Sequence, residues 1–319
     1  MNLRVWTMLV VALLVGACGD EPKPRSVKFI NILTGGTSGI YYPLGVALSQ
    51  VYGKALPHAK SSVQATKASV ENLNLLEAGH GEVAFTLGDA LSSAWKGEEE
   101  AGFKVPLRKL RTIAGMYPNY IQIVARKDAD IRTLADLKGK RISVGAPKSG
   151  TELNARAVLA AAGLGYQDFA RVDYLPFGES VELMKSRQLD VTLQSAGLGV
   201  ASLRELAQAV PIVVIPIGPE LIAKVGDAAY QEGVIPAGTY HGQEADVPTA
   251  TIRNFLVTHE DVPVKEVYTM TKAMFENLGT MVAAHDAASR IDPKTAGRNT
   301  PVPLHPGAEK YYREAGLLK

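Results

Sequence analysis

Two short stretches of this chain carry the residue types that hold an anion without any catalytic group. The first is Thr34-Gly35-Gly36-Thr37-Ser38-Gly39, between an apolar strand-like run (Lys28–Leu33) and a segment where Ile40, Leu44, Ala47, Leu48 and Val51 recur at helical spacing. The second is Lys148-Ser149-Gly150-Thr151, after the short strand pattern Arg141–Val144 and before a helix running to about Ala162. Glycine lets the backbone turn sharply and approach a ligand. The first N–H groups of a helix lack internal partners and carry the positive end of its dipole. Ser and Thr hydroxyls there either cap the helix or donate to an anionic oxygen. One such turn is an ordinary cap. Two, one in each half of the chain, would form a closed, water-excluding anion site if they faced each other.

Motifs for covalent or metal chemistry are absent from the sequence. Neither turn is a Walker A loop or a dinucleotide fingerprint, and there is no His-Glu-x-x-His and no Gly-x-Ser-x-Gly. The six histidines show no metal-ligand spacing, so no cofactor, metal or catalytic residue is expected. Asp89, at the end of the alternating run Glu82–Leu87, reads equally as a site carboxylate or a helix cap. Lys67 reads as a solvated lysine or as a charge partner for an anion. One of Tyr41 and Tyr42 must face inward, which core packing alone explains. An enzyme acting on a small carboxylic acid would need Asp89 or Glu152 as its base.

The elements that position these turns alternate. Further strands are read at Tyr120–Ala125, Val172–Phe177, Asp190–Gln194, Ile212–Ile217 and Thr249–Val257. Helices are read at Ser69–Ala78, Ile131–Leu137, Ser180–Arg187, Leu198–Ala209, Val264–His285 and Gly307–Gly316, with a looser region over Gly218–Val247. Strands alternating with helices give an α/β class with largely parallel sheets. A chain of 319 residues is large for a single core, so two lobes are expected.

The N-terminus sets the compartment. Arg4 is followed by the apolar run Val5–Val15 and then Gly16-Ala17-Cys18. That run is too short to span a bilayer and reads as a signal peptide over residues 1–17. Val15-Gly16-Ala17-Cys18 resembles a bacterial lipobox, in which Cys18 is lipidated and becomes the new N-terminus; the alternative is an ordinary secretory signal with an incidental Cys. Cys18 is the only cysteine, so disulfides are excluded. Residues 18–26 then read as the lipidated end and a polar, Pro-containing tether. The expected product is exported and anchored to a membrane, facing the periplasm or extracytoplasmic space. The formal charge of +2 is no footprint for nucleic acid.

Several stretches together resemble the TAXI family, the solute receptors of one branch of TRAP transporters. Thr34–Pro43 is similar to the family's opening motif, and Thr66-Lys67-Ala68-Ser69-Val70-Glu71-Asn72 to its Thr-Gly-Gly-Ser-Val-x-Asn helix start. Asp136–Gly145 resembles a stretch common to many two-lobed receptors. Ser149–Arg156 and Pro303–Tyr312 resemble two further family motifs. The resemblance implies a periplasmic binding protein-like fold of type II: two sheets flanked by helices, with a ligand cleft between lobes. It implies one lobe from 27–118 plus 250–319 and the other from 119–249. Implied partners are the TRAP membrane subunits and a small organic anion such as glutamate, glutamine or 2-oxoglutarate. A ligand-sensing lipoprotein is the alternative. Carried over by position, ligand contacts are Thr37, Ser38, Tyr41, Ser69, Asp89, Ser149, Gly150, Thr151, Asn154 and Gln194. The sequence departs from the family pattern at Leu87, where a polar residue is usual, and at Lys67, where Gly is usual.

Overall fold

The structure is a computed structural model and describes residues 27–319. The signal peptide, Cys18 and the tether lie outside the described residues. Strands are β1 (Phe29–Leu33), β2 (Lys60–Gln64), β3 (Val83–Leu87), β4 (Leu110–Arg126), β5 (Arg141–Ser143), β6 (Arg171–Asp173), β7 (Val191–Ala196), β8 (Ile212–Ile215), β9 (Gln231–Ile235) and β10 (Val247–His259). Helices are α1 (Tyr41–Ala55), α2 (Ser69–Glu77), α3 (Gly88–Lys96), α4 (Gly150–Ala161), α5 (Phe177–Lys185), α6 (Ala201–Ala209), α7 (Pro219–Val225), α8 (Val264–Glu276), α9 (Leu278–Ala284), α10 (Pro293–Ala296) and α11 (Pro306–Glu314). Among the described residues no helix is long and apolar enough to cross a membrane.

The architecture is the two-lobed α/β fold. Strand order is β2-β1-β3-β10-β4-β7-β5-β6, with β8 on β4 and β9 on β10. The two sheets expected from the sequence are joined into one hydrogen-bonded path, because β4 and β10 are long enough to serve both halves. The first part of β4 pairs with β10, while Tyr120–Ala125 pairs with β7. β10 likewise pairs with β9 at its start and β3 near its end. Within each half the strands that feed helices run parallel: β1 with β2 and β3, and β5 with β6. Parallel strands are covered on both faces. Accordingly all five residues of β3 are buried, not only Val83, Phe85 and Leu87.

Where β4 and β10 cross between halves, the ladder is irregular. Arg253 pairs with Pro118, but Phe255 pairs with Gly115, and a bulge lies between. A bulge re-aims a side chain. Here Asn254 Nδ2 donates to the Tyr117 carbonyl at 2.9 Å and to Asn119 Oδ1 at 2.7 Å. Pro118, unable to donate to a ladder, also explains why the sequence reading began this strand only at Tyr120. Other differences have local causes. The helix read over Val264–His285 breaks at Asn277, whose side chain donates to the Ala273 carbonyl at 2.8 Å and ends α8. Phe177, read as the end of a strand, instead opens α5 behind Pro176. The loose region over Gly218–Val247 contains α7 and β9.

Candidate functional site

Each parallel strand runs directly into a helix, so the carboxyl ends of β1, β2, β3, β5 and β6 deliver five helix starts to the gap between the halves. Open α/β folds bind ligands at this edge. The gap holds a cavity of about 710 Å³, its mouth included. Its wall contains the starts of α1 (Gly39, Ile40, Tyr41), α2 (Ala68, Ser69), α4 (Ser149, Gly150, Thr151) and α5 (Pro176, Phe177), with Leu87 at the head of α3.

Three serines define what this wall offers. Ser38 Oγ accepts from Gly178 N, Ser69 Oγ from Leu87 N and Ser149 Oγ from Glu152 N, each at 3.1 Å. A hydroxyl has one proton to give. With an acceptor lone pair engaged by backbone, each serine still has its proton to give. Among the described residues the lining holds no Asp, Glu, His or Cys, and Lys67 is its only charged side chain. Donors without carboxylates, at several positive helix ends, suit a negative group.

The halves are in contact around the cavity. Glu71 N donates to Lys148 O at 3.1 Å, Gly178 N reaches across to Ser38, and Arg156 Nη1 donates to Glu100 O at 2.7 Å. Gly150 marks the closest approach: a Cβ there would lie 2.6 Å from Ser69 Oγ and 2.7 Å from Leu87 Cδ1.

The residues read from sequence divide into three groups. Ser38, Tyr41, Ser69, Ser149, Gly150 and Thr151 line the cavity, Tyr41 with its hydroxyl committed to Asn254 Oδ1 and its ring stacked on Phe85 at 5.0 Å. Thr37 is exposed on its turn and outside the lining, because that turn presents Ser38 instead. Asp89, Asn154 and Gln194 are buried but lie behind the wall. Asn154 Nδ2 donates to Asp89 Oδ2 at 2.6 Å, and the Tyr230 hydroxyl donates to the same oxygen at 3.1 Å. The trio links the two halves. Burial raises the Asp89 carboxyl to about 6, against the lowering effect of the Ala90 backbone and Tyr230. Gln194 Oε1 accepts from Ser202 Oγ at 2.6 Å. Strand alternation puts its neighbour Ser195 in the wall instead. Neither carboxylate considered as a base is available: Glu152 is held by Arg156 Nη2 at 2.6 Å and by the Tyr166 hydroxyl at 2.9 Å, and is not in the lining.

Sequence reasoning missed Tyr117, Asn119, Phe177 and Ser195, all in the lining. Only Ser195 had a sequence signal, as the neighbour of Gln194 on a strand of period two. Leu87 and Lys67, the two departures from the family pattern, both line the cavity, Leu87 buried and Lys67 exposed.

The next residue along is strained. Ala68, at the head of α2, has φ 72° and ψ −151°, a region otherwise kept to glycine. Thr66 Oγ1 holds it there by accepting from Ala68 N at 2.9 Å while donating to Asn72 Oδ1 at 2.6 Å. Ala68→Gly should relieve this strain, a net gain of about 1 kcal/mol after glycine's larger unfolded-state entropy is subtracted. Thermal unfolding of the unliganded protein checks it: a melting temperature at or below that of the parent would contradict the strained geometry.

Comparison with solved structures shows the fold. Methylphosphonate-bound PhnD1 from Prochlorococcus marinus is 11% identical with a TM-score of 0.57, over 91% of this chain and 99% of that one. A putative L-cystine ABC transporter protein from Listeria monocytogenes is 15% identical with a TM-score of 0.52, over 83% and 98%. A binding protein component of an ABC phosphonate transporter from Pseudomonas aeruginosa is 12% identical with a TM-score of 0.52, over 82% and 79%. The family match corrects the TAXI resemblance, and with it the TRAP subunits and the glutamate, glutamine and dicarboxylate ligands drawn from it. The misleading motifs have a physical explanation here. Asn72 donates to the carbonyls of Thr34, just past β1, and Phe85 on β3, and Ser149 caps α4, work required by the two-lobed fold whatever the transporter. An amino-acid ligand would also find no carboxylate in the lining for its ammonium group. Residues 32–316 match the model of the NMT1-like family, and the chain belongs to that family.

Proposed function

We propose that this chain is an extracytoplasmic solute receptor that closes on a small organic anion and passes it to a membrane importer. The observation that carries the reading is the convergence of helix starts and three proton-bearing serines on a cavity without a carboxylate. Each helix-dipole contact contributes roughly 0.3–2 kcal/mol, and exclusion of water by closure strengthens them together. PhnD1 from Prochlorococcus marinus, in complex with methylphosphonate, has the same fold, which is consistent with it. The proposed lobes are 27–118 with 250–319 and 119–249, hinged where β4 and β10 cross. Ser38, Ser69, Ser149, Gly150 and Thr151 are the proposed ligand contacts. Lipidation at Cys18 would tether the receptor to its membrane. No catalytic role is proposed.

A thermal-shift screen of the purified, ligand-stripped protein against small carboxylates, sulfonates and phosphonates, with sugars and cations as controls, tests this. A bound anion at roughly a thousand times its Kd adds about 4 kcal/mol. Ser149→Ala should weaken that anion by about tenfold, since a hydrogen bond to a charged group is worth roughly 1.5–3 kcal/mol. A shift only with sugars or cations, or none at all, would remove the anion site.

A further inference from the structure

The helix-start wall accounts for a charged group and leaves unexplained two buried hydroxyls carried by residues of the same lining. Tyr117, on β4, is fully buried, and its oxygen has no hydrogen-bond partner. Ser195, on β7, is 5% exposed, and its Oγ also has none. Both residues line the cavity. Buried polar groups are normally paired, and an orphan calls for a reason. Their polar neighbours are already committed. Asn119 Nδ2 donates to the Ser195 carbonyl at 2.8 Å, its Oδ1 accepts from Asn254, and the Tyr41 hydroxyl donates to Asn254 Oδ1. Two neutral hydroxyls, each able to donate and accept, are therefore left over on strands β4 and β7. Burial pushes the Tyr117 phenol well above its ordinary range and keeps it neutral.

The rest of the lining limits what could reach them. Ile40, Leu87, Phe177 and Ala196 are apolar, and the only charged side chain is the exposed Lys67. A second anionic group in the interior would lose its hydration against these side chains, and an ammonium group would find no counter-charge.

We propose that Tyr117 and Ser195 form a second, neutral subsite that takes a hydroxyl or carbonyl oxygen of a singly charged organic anion. The inference rests on the reading of the cavity as the solute site. It divides recognition in two: charge at the helix starts, and an uncharged oxygen at the β4–β7 wall. Oxygen-bearing monoanions are thereby selected over bare ones, amino acids and dianions of equal length.

Isothermal titration with matched probes tests it. The panel comprises butanoate, pentanoate and hexanoate and the corresponding sulfonates, each bare or carrying a hydroxyl or keto group along the chain, with the amino-acid and dicarboxylate counterparts. At least one oxygen-bearing monoanion should bind about tenfold more tightly than its bare parent, the effect of one well-made neutral hydrogen bond in a dry site. In Tyr117→Phe or Ser195→Ala that advantage should shrink to about twofold or less, within the scatter of such measurements, with the bare parent unchanged. Each variant removes only an unpartnered oxygen, and a melting temperature no lower than the parent's checks that both fold. Equal binding of bare and oxygen-bearing probes, an advantage that survives both substitutions, or tighter binding of the amino acid or dicarboxylate would overturn the neutral subsite and leave the receptor reading standing. Failure of every anion to bind would overturn the receptor reading, and the subsite with it.

Discussion

Gly150→Ala should weaken solute binding by about ten- to a hundredfold while leaving the unliganded fold intact, the range set by an overpacking cost of roughly 1–3 kcal/mol. Position 150 opens α4 in one half of the molecule, yet the atoms its new methyl would meet belong to the other half. They are Ser69 Oγ at 2.6 Å, Leu87 Cδ1 at 2.7 Å and Ser69 Cβ at 3.0 Å. No real Cβ tolerates such distances, and both neighbours are buried at helix starts. The relief open to the variant is to hold the halves apart. Its own backbone has no positive φ and gives no further strain. The cost therefore falls on closure and not on either half alone. Small-angle scattering with and without a bound anion should show compaction in the parent and none in the variant, at similar unliganded melting temperatures. Normal compaction and unchanged affinity would mean that the 69–87–150 contact is not the closing contact.

The second large effect concerns Asp89, which no solute contacts in the proposed site. Its carboxyl is buried across the seam between halves and is raised from 3.8 to about 6, with burial the largest cause and the charge of Asp227 a smaller one acting the same way. Because the folded value lies above the unfolded one, folding takes up a proton between them. This group's contribution is thus most favourable below the unfolded value and is lost as pH rises through about 6. A difference of about two pKa units corresponds to roughly 3 kcal/mol. Asp89 Oδ1 and Asn154 Oδ1 are both buried without partners, and above pH 6 neither atom carries a proton to offer the other. Asp89→Asn removes the charge and supplies N–H donors beside Asn154, while its carbonyl can still accept from Asn154 Nδ2 and Tyr230. The variant should match the parent near pH 4 and exceed it in stability by about 2–3 kcal/mol at pH 8. Denaturant unfolding at several pH values measures this difference directly. A gap that is constant with pH would show that Asp89 does not titrate in this interval.

These two effects also separate what was legible in the chain from what was not. Turn chemistry is local. Gly35 to Gly39, Thr66 to Asn72 and Ser149 to Thr151 announce strand-to-helix junctions because caps and tight turns are decided by a few adjacent residues. Parallel α/β organisation follows equally from the alternation of apolar runs and helical spacing. The two Gly/Ser turns were readable as helix starts for the same reason, and three of their polar residues, Ser38, Ser149 and Thr151, meet in one cavity.

What the chain could not announce depends on partners far away in sequence. Asp89 meets Asn154 and Tyr230 only because α3, α4 and the segment before β9 are brought together from opposite halves. Read locally, Asp89 is a carboxylate at a strand end like any ligand contact. Gln194 and Ser195 differ by one step on a strand, and only the pairing of β7 with β4 decides which of them faces the cavity. Tyr117 and Asn119 flank a proline that hides their strand, and their placement is fixed by the bulge in β4 opposite Asn254, which bonds to both. Sequence by itself thus determined the helix starts and their polarity. Tertiary structure alone decided which starts face each other, which hydroxyls are left over, and which carboxylate is sealed at the seam, because each is fixed by contacts between residues tens to hundreds of positions apart, whose geometry no local pattern encodes.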